Sequence, residues 1–191
     1  MNRREDVIVA AGRLFGQRGY HGTSMRDLAG ELGVLGSSLY AHVEGKQDLL
    51  VEVVERGAGF FSASAEAATS AGGSAPERLH RLISGHIDVI VDHRDEVRTF
   101  LNEADALDAA HRTRVIDSRD RYEATFRMVL AEGARNGSMR ADLDAKVCAI
   151  FILSILNAVE RWYQSDGPVS RGGLADRLFS FVMEGIGAPE G

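Results

Sequence analysis

The residues that could carry bond-making chemistry in this chain are few and scattered. A single cysteine, Cys148, sits inside the apolar run Val147-Cys148-Ala149-Ile150-Phe151, where a thiol is expected to be buried and inert. Being alone, it can neither close an intramolecular disulfide nor build a cysteine zinc site. Histidines at 80, 86, 93 and 111 invite a metal reading, yet neither HExxH nor a pair of ligands at i, i+4 occurs among them, so no metal is expected. A glycine-rich phosphate loop, a nucleophile elbow and an acid–base pair at recognisable spacing are not found either. The expectation is a protein without a cofactor that binds rather than catalyses.

A denser set of hydrogen-bonding and basic side chains lies in residues 1–46: Thr23, Ser24 and Arg26, then Ser37, Ser38, Tyr40, His42 and Lys46. The elements that must position them read as helices. Val7, Ala11, Leu14 and Phe15 give one apolar face to a helix from about Arg3 to Arg18, ended by Gly19. Thr23 reads as the N-cap of a second helix with Met25, Leu28, Ala29 and Leu32 as its core stripe, stopped by Gly33. A third, short helix is expected at about Gly36 to Val43, and a long fourth from Lys46. Two helices joined by Gly33-Val34-Leu35-Gly36 have helix-turn-helix spacing, in which one helix braces across the DNA backbone and the next enters the major groove.

Around the third helix the sequence reads GVLGSSLYAHVEGKQDLL, preceded by Gly12-Arg13-Leu14-Phe15, Gly19-Tyr20 and Thr23-Ser24-Met25-Arg26-Asp27-Leu28-Ala29. Over about 45 residues at matching spacing, the chain resembles the TetR family of transcriptional regulators. The resemblance implies that Thr23, Ser24 and Arg26 bind a phosphate and that Ser37, Ser38, Tyr40 and His42 face the groove. Tyr40 and Lys46 would rest on phosphates. One departure stands out: where the family has a small hydroxyl residue and then a basic one, this chain has Leu35 and Gly36. The missing basic residue weakens the case for bidentate guanine readout there and leaves base specificity open.

Beyond residue 46 the periodicity remains helical, and no stretch alternates as a strand would, so the whole chain is expected to be all-α. Residues 62–76, rich in Ala, Ser and Gly, read as a loop or fraying helix end. Later helices are expected at Glu77 to Asp92, Asp95 to Leu107, Ala109 to Arg135, Asp142 to Gln164 and Gly172 to Ile186. The last two are apolar over wide surfaces, and the resemblance implies that they pair with their copies in a homodimer. The expected division is a DNA-binding domain over 1–46 and an effector-binding and dimerisation domain over 47–191.

The segment Asn157-Ala158-Val159-Glu160-Arg161-Trp162-Tyr163, followed by Gly167-Pro168, looks like the branch of the family that governs fatty-acid and sterol catabolism and answers to acyl-CoA thioesters. Phe100, Leu101, Arg121, Met128, Asn157 and Trp162 are the candidate effector contacts. Arginines at 94, 98, 112, 114, 119 and 121 could meet the phosphates of such a ligand, but interspersed acids favour local pairing.

Charge and hydropathy bound the rest. The net charge of −6 hides six basic against five acidic residues in 1–46, so a DNA reading rests on geometry rather than on field. The longest apolar run, Val147 to Leu156, is interrupted by Ser154, too short to span a bilayer. With polar residues at Met1 to Asp6 and no apolar run behind them, the cytoplasm is the expected location. The expected function is a repressor that leaves double-stranded operator DNA when a small-molecule effector, of the acyl-CoA class, binds. The alternative is a small all-helical acyl-CoA-binding protein or enzyme.

Overall fold

The computed structural model describes residues 3–41 and 43–187. Nine α-helices are seen among them: α1 (Arg3–Arg18), α2 (Met25–Leu32), α3 (Gly36–Leu39), α4 (Lys46–Ser70), α5 (Ala75–Asp92), α6 (Arg94–Asn102), α7 (Ala109–Asn136), α8 (Ala145–Trp162) and α9 (Arg171–Ile186). A 3₁₀ turn at Ala104–Ala106 precedes α7. The only extended pairing among the described residues is an isolated bridge between Met139 and Gly187. The all-α expectation is met.

The helices gather into two compact units, Met1–Gly59 with His93–Asp117, and Phe60–Asp92 with Ser118–Gly191. Both α4 and α7 are long enough to run from one unit into the other.

In the first unit α1 packs on α2 and α6. Val7, Ala11, Leu14 and Phe15 of α1 are buried with Leu28, Leu39, Leu49, Leu50, Val53 and Val54. Truncating one of the larger of these side chains would cost about 3 to 5 kcal/mol. Helix α6 comes close enough that a Cβ on Gly57 would stand 2.9 Å from the Phe100 Cβ and 3.0 Å from the Glu96 carbonyl oxygen. Ion pairs Arg4–Glu52 and Arg56–Glu5 tie α1 to α4, and Arg13–Glu31 ties α1 to α2.

In the second unit α5 packs on α8 and α9. Its core contains Leu79, Ile83 and Ile87 of α5, Phe126 and Leu130 of α7, and Leu156 of α8. Arg78 pairs with Glu132, and Arg171 with Asp92 at 2.9 Å.

Several boundaries move from their sequence positions. Helix α4 continues through 62–70, within the stretch expected to be a loop or fraying helix end. Alanine is the strongest helix former, and Ala58, Phe61, Ala65 and Ala68 line up as a buried stripe on one face. The break is confined to the residues between Ser70 and Ala75, where Ser74 and Glu77 exchange hydrogen bonds as a capping box at the start of α5. Helix α6 stops at Asn102 rather than Leu107, and the chain continues as the 3₁₀ turn. Asp144 and Ser170, not the residues at 142 and 172, set the starts of α8 and α9, because their side chains accept from the first free amides.

Candidate nucleic-acid interface

The candidate DNA-binding surface is built by α2, α3 and the start of α4. Helix α2 is capped by Ser24 and not by Thr23. The Ser24 side chain accepts from the Asp27 amide, and the Asp27 carboxylate accepts from the Ser24 amide at 2.8 Å. Hydrogen bonds from the Ser24 hydroxyl and then the Ser24 amide hold the Asp27 carboxyl below its ordinary pKa. Thr23 is buried, and its hydroxyl donates to the Gly19 carbonyl at 3.0 Å. It fixes the entry to α2, with its hydroxyl already engaged inside the first unit.

Helix α2 ends on Gly33 in the left-handed region, φ 64°, a conformation that a Cβ would strain. The Val34 amide closes this cap on the Ala29 carbonyl at 3.0 Å. Helix α3 is one turn, Gly36–Leu39, shorter than the expected span to Val43. Its N-cap is Leu35, which has no side-chain oxygen to offer the free amides. Leu39 turns inward and is buried, whereas Leu35, Gly36, Ser37, Ser38 and Tyr40 are all exposed. Arg26 is exposed on α2. His42 lies outside the described residues.

Lys46 is shared between two tasks. Its Nζ donates to the Thr23 carbonyl at 2.7 Å and lies 4.1 Å from the centre of the Tyr20 ring. The Tyr20 hydroxyl donates to Gln47 Oε1 at 2.8 Å, and Gln47 Nε2 donates to the Ala106 carbonyl at 3.3 Å. Burial pushes the Tyr20 phenol up, so it stays a neutral donor. An ammonium has three donors, so the Thr23 bond orients Lys46 without exhausting it.

The expected effector residues are distributed over both units. Phe100 is buried and Leu101 half-buried on α6, in the first unit. Arg121, Met128, Asn157 and Trp162 belong to the second. Arg121 and Met128 are exposed on α7, and Trp162 is 56% exposed at the end of α8. Asn157 alone adjoins a buried polar feature that the sequence did not single out. His86 is 1% exposed, its Nδ1 stands 3.0 Å from the Tyr122 hydroxyl, and its Nε2 is without a hydrogen-bond partner. Phe61 stacks on its ring at 4.6 Å. Burial lowers the His86 pKa to about 3, opposed in part by Asn157, and burial raises the Tyr122 phenol. The pair is neutral across the physiological range. The signal available in the sequence was a histidine in place of a leucine within the α5 stripe Leu79, Leu82, Ile83, Ile87, Ile90.

Of the arginines expected to prefer local partners, Arg112 donates to the nearby Leu107 carbonyl at 3.0 Å, whereas Arg114 pairs at 3.1 Å with Glu55 of α4, distant in sequence. Among the described residues no cluster of three or more metal-ligating side chains occurs. Among them, too, no helix is long and apolar enough to cross a membrane.

The outward face of α8 carries several exposed large apolar side chains. Val147, Phe151, Ile155 and Trp162 recur on one helical face, with Phe151 63% exposed, and Phe181 of α9 is 62% exposed. Phe151, Ile155 and Phe181, together with Cys148, Val182 and Gly185, line an open groove of about 630 Å³.

A buried three-helix brace with a one-turn helix displayed on its surface defines a helix-turn-helix regulator. Residues 7–53 match the bacterial regulatory proteins of the tetR family, and residues 72–186 match the tetracyclin repressor-like C-terminal domain. The chain belongs to the TetR family, and it is a DNA-binding transcriptional regulator rather than an enzyme. It is 26% identical over 191 residues to the HTH-type transcriptional repressor KstR2 of Mycolicibacterium smegmatis, covering 100% of this chain and 93% of the relative. The structure of the ketosteroid transcriptional regulator KstR2 of Mycobacterium tuberculosis superposes with a TM-score of 0.92 at 26% identity, over 99% of this chain and 97% of that one. AibR in complex with isovaleryl coenzyme A and operator DNA shares the fold, with a TM-score of 0.86 at 23% identity over 94% and 97% of the two chains.

Proposed function

We propose that the protein is a cytoplasmic homodimeric repressor that grips double-stranded operator DNA and releases it when an acyl-CoA thioester binds. Two copies pair through the apolar faces of α8 and α9, and each places its α3 in one of two successive major grooves, about 34 to 36 Å apart. The observation that carries the reading is the exposure of Ser37, Ser38 and Tyr40 on a helix whose single inward residue, Leu39, is buried. Such a helix contributes almost nothing to its own core and displays the rest.

In this arrangement Ser24 and Arg26 at the start of α2, and Tyr40 and Lys46, meet phosphates, while Ser37 and Ser38 reach base edges. The effector site belongs to the helical C-terminal domain. Asn157 adjoins the neutral His86–Tyr122 pair there, and Trp162, Met128 and Arg121 contribute from α7 and α8. Support for the effector class comes from the segment 157–163, and from the relatives whose names record a ketosteroid regulator and a complex with isovaleryl coenzyme A.

The test is a gel-shift titration on DNA flanking the gene, with and without a panel of acyl-CoA thioesters. Wild-type protein should bind one fragment tightly and lose it with at least one thioester. The double variant Tyr40→Ala, Lys46→Ala should weaken binding evenly across operator sequences and lower the salt slope by roughly one to two units per dimer. Unchanged affinity at every salt concentration would remove both residues from the interface.

A further inference from the structure

Resting on the DNA-binding reading above, we propose that Leu35 is a specificity-determining residue that reads the C5-methyl group of a thymine in each operator half-site. Leu35 is 75% exposed, the largest exposure of any large apolar side chain described, and its neighbour Val34 is 42% exposed. Nothing in the fold asks for a leucine at this place. It is the N-cap of α3, where Ser, Thr, Asp or Asn would satisfy a free amide, and it makes no side-chain cap. Burial does not reward it either.

The position nonetheless lies on the part of a recognition helix that reaches base edges, since it is the N-terminal residues that enter the groove. The exposed groups beside it are the apolar Val34, the Ser37 and Ser38 hydroxyls and the Tyr40 phenol, with no arginine or lysine between Arg26 and Lys46. That set excludes the bidentate arginine contact that selects guanine. What an apolar side chain can select in the major groove is the thymine methyl, the one apolar group presented there.

Gly36 strengthens the placement. Its φ is not in the positive region, and a Cβ added to it would meet nothing within 4 Å. The free protein has room for a side chain that it does not carry. A bare backbone beside Leu35 lets the start of α3 come closer to a surface than any side chain would permit.

The experiment uses a duplex selected from a randomised pool by the wild-type chain, with each thymine replaced in turn by deoxyuridine, which removes the methyl and leaves every hydrogen-bonding atom in place. At one thymine position per half-site, substitution should weaken wild-type binding about fourfold, and about fifteenfold when both half-sites are changed, the worth of one buried methyl each. Leu35→Ala should bind the thymine duplex with the affinity that wild type shows for the deoxyuridine duplex, and should itself be indifferent to the replacement. Thermal melting of Leu35→Ala should stay close to wild type, because the residue is 75% exposed. Wild-type binding that ignores deoxyuridine at every position overturns the inference while leaving the regulator reading intact. So does a thymine preference that survives in Leu35→Ala. Failure of wild type to enrich any duplex overturns the DNA-binding reading itself.

Discussion

Leu35 in the first compact unit and His86 in the second both depart from the ordinary assignment of side chains. At the tip of the first unit the chain leaves Leu35 in water, and in the core of the second it buries His86 with one ring nitrogen unpartnered. The costs differ in kind. An exposed leucine sacrifices little, because surface apolar side chains are common and only the missed cap weighs against it. A buried histidine loses the solvation of its charged form entirely and must remain neutral. The tip is therefore locally cheap and open to redesign by evolution, whereas His86 is held between Tyr122 and Phe61 in the interior of the second unit.

The outer face of α8 and α9 supplies the largest way to sharpen this contrast. Unlike the pair Val34 and Leu35, it is a continuous apolar stripe, of the sort that a single chain does not leave uncovered. Phe151→Asp together with Phe181→Asp should yield a monomer by sedimentation velocity. Operator affinity should fall at least about a hundredfold through loss of avidity, with the helical content of the chain retained. A dimer of unaltered mass would move the interface elsewhere.

The pH dependence of stability tests the second unit. His86 has a pKa of about 3 in the fold against 6.5 for the free side chain. Above 6.5 it is neutral in both states and has no effect. As pH falls from there toward 3, the unfolded chain takes up a proton that the folded chain refuses, so stability is lost across that window. By pH 5 the loss is about 2 kcal/mol. His86→Leu should flatten the difference in denaturant midpoint between pH 7.5 and pH 5. An equal pH dependence in the variant would mean that the ring is solvated in the folded state.

The smallest effects compare the two N-caps of the recognition motif. Ser24→Ala removes the capping box of α2 and should lower stability by about 1 kcal/mol. Leu35→Ser supplies the oxygen that α3 lacks and should raise stability by a few tenths to about 1 kcal/mol while weakening operator binding. Opposite signs of stability and affinity at Leu35, set against losses of both at Ser24, would separate a residue kept for contact alone from one that also holds the fold. A thermal denaturation curve beside a gel shift for each variant reads both.

Much of the motif was legible in order along the chain. Glycines at 19 and 33, the apolar spacing of α1 and α2 and the short link to α3 follow from local rules, and each is found in the structure. The misjudged details were those in which neighbouring residues compete for one role. Thr23 and Ser24 are both competent caps, and the choice fell to Ser24 because the Thr23 hydroxyl is engaged by the Gly19 carbonyl. Composition suggested a loop or fraying helix end over 62–76, but the apolar stripe on α4 found a core and the alanines followed it into the helix as far as Ser70.

By itself, then, the sequence determined the helical class, the helix-turn-helix register and the family, because these depend on periodicity and on residues close together in the chain. Only the tertiary structure decided that Thr23 faces inward, that Lys46 is steered by Tyr20 and the Thr23 carbonyl, and that His86 meets Tyr122 and Asn157 in the interior. Those facts join residues as far apart as α5 and α8. Burial and hydrogen-bond partnership are set by which helices pack against one another, and no local spacing encodes that.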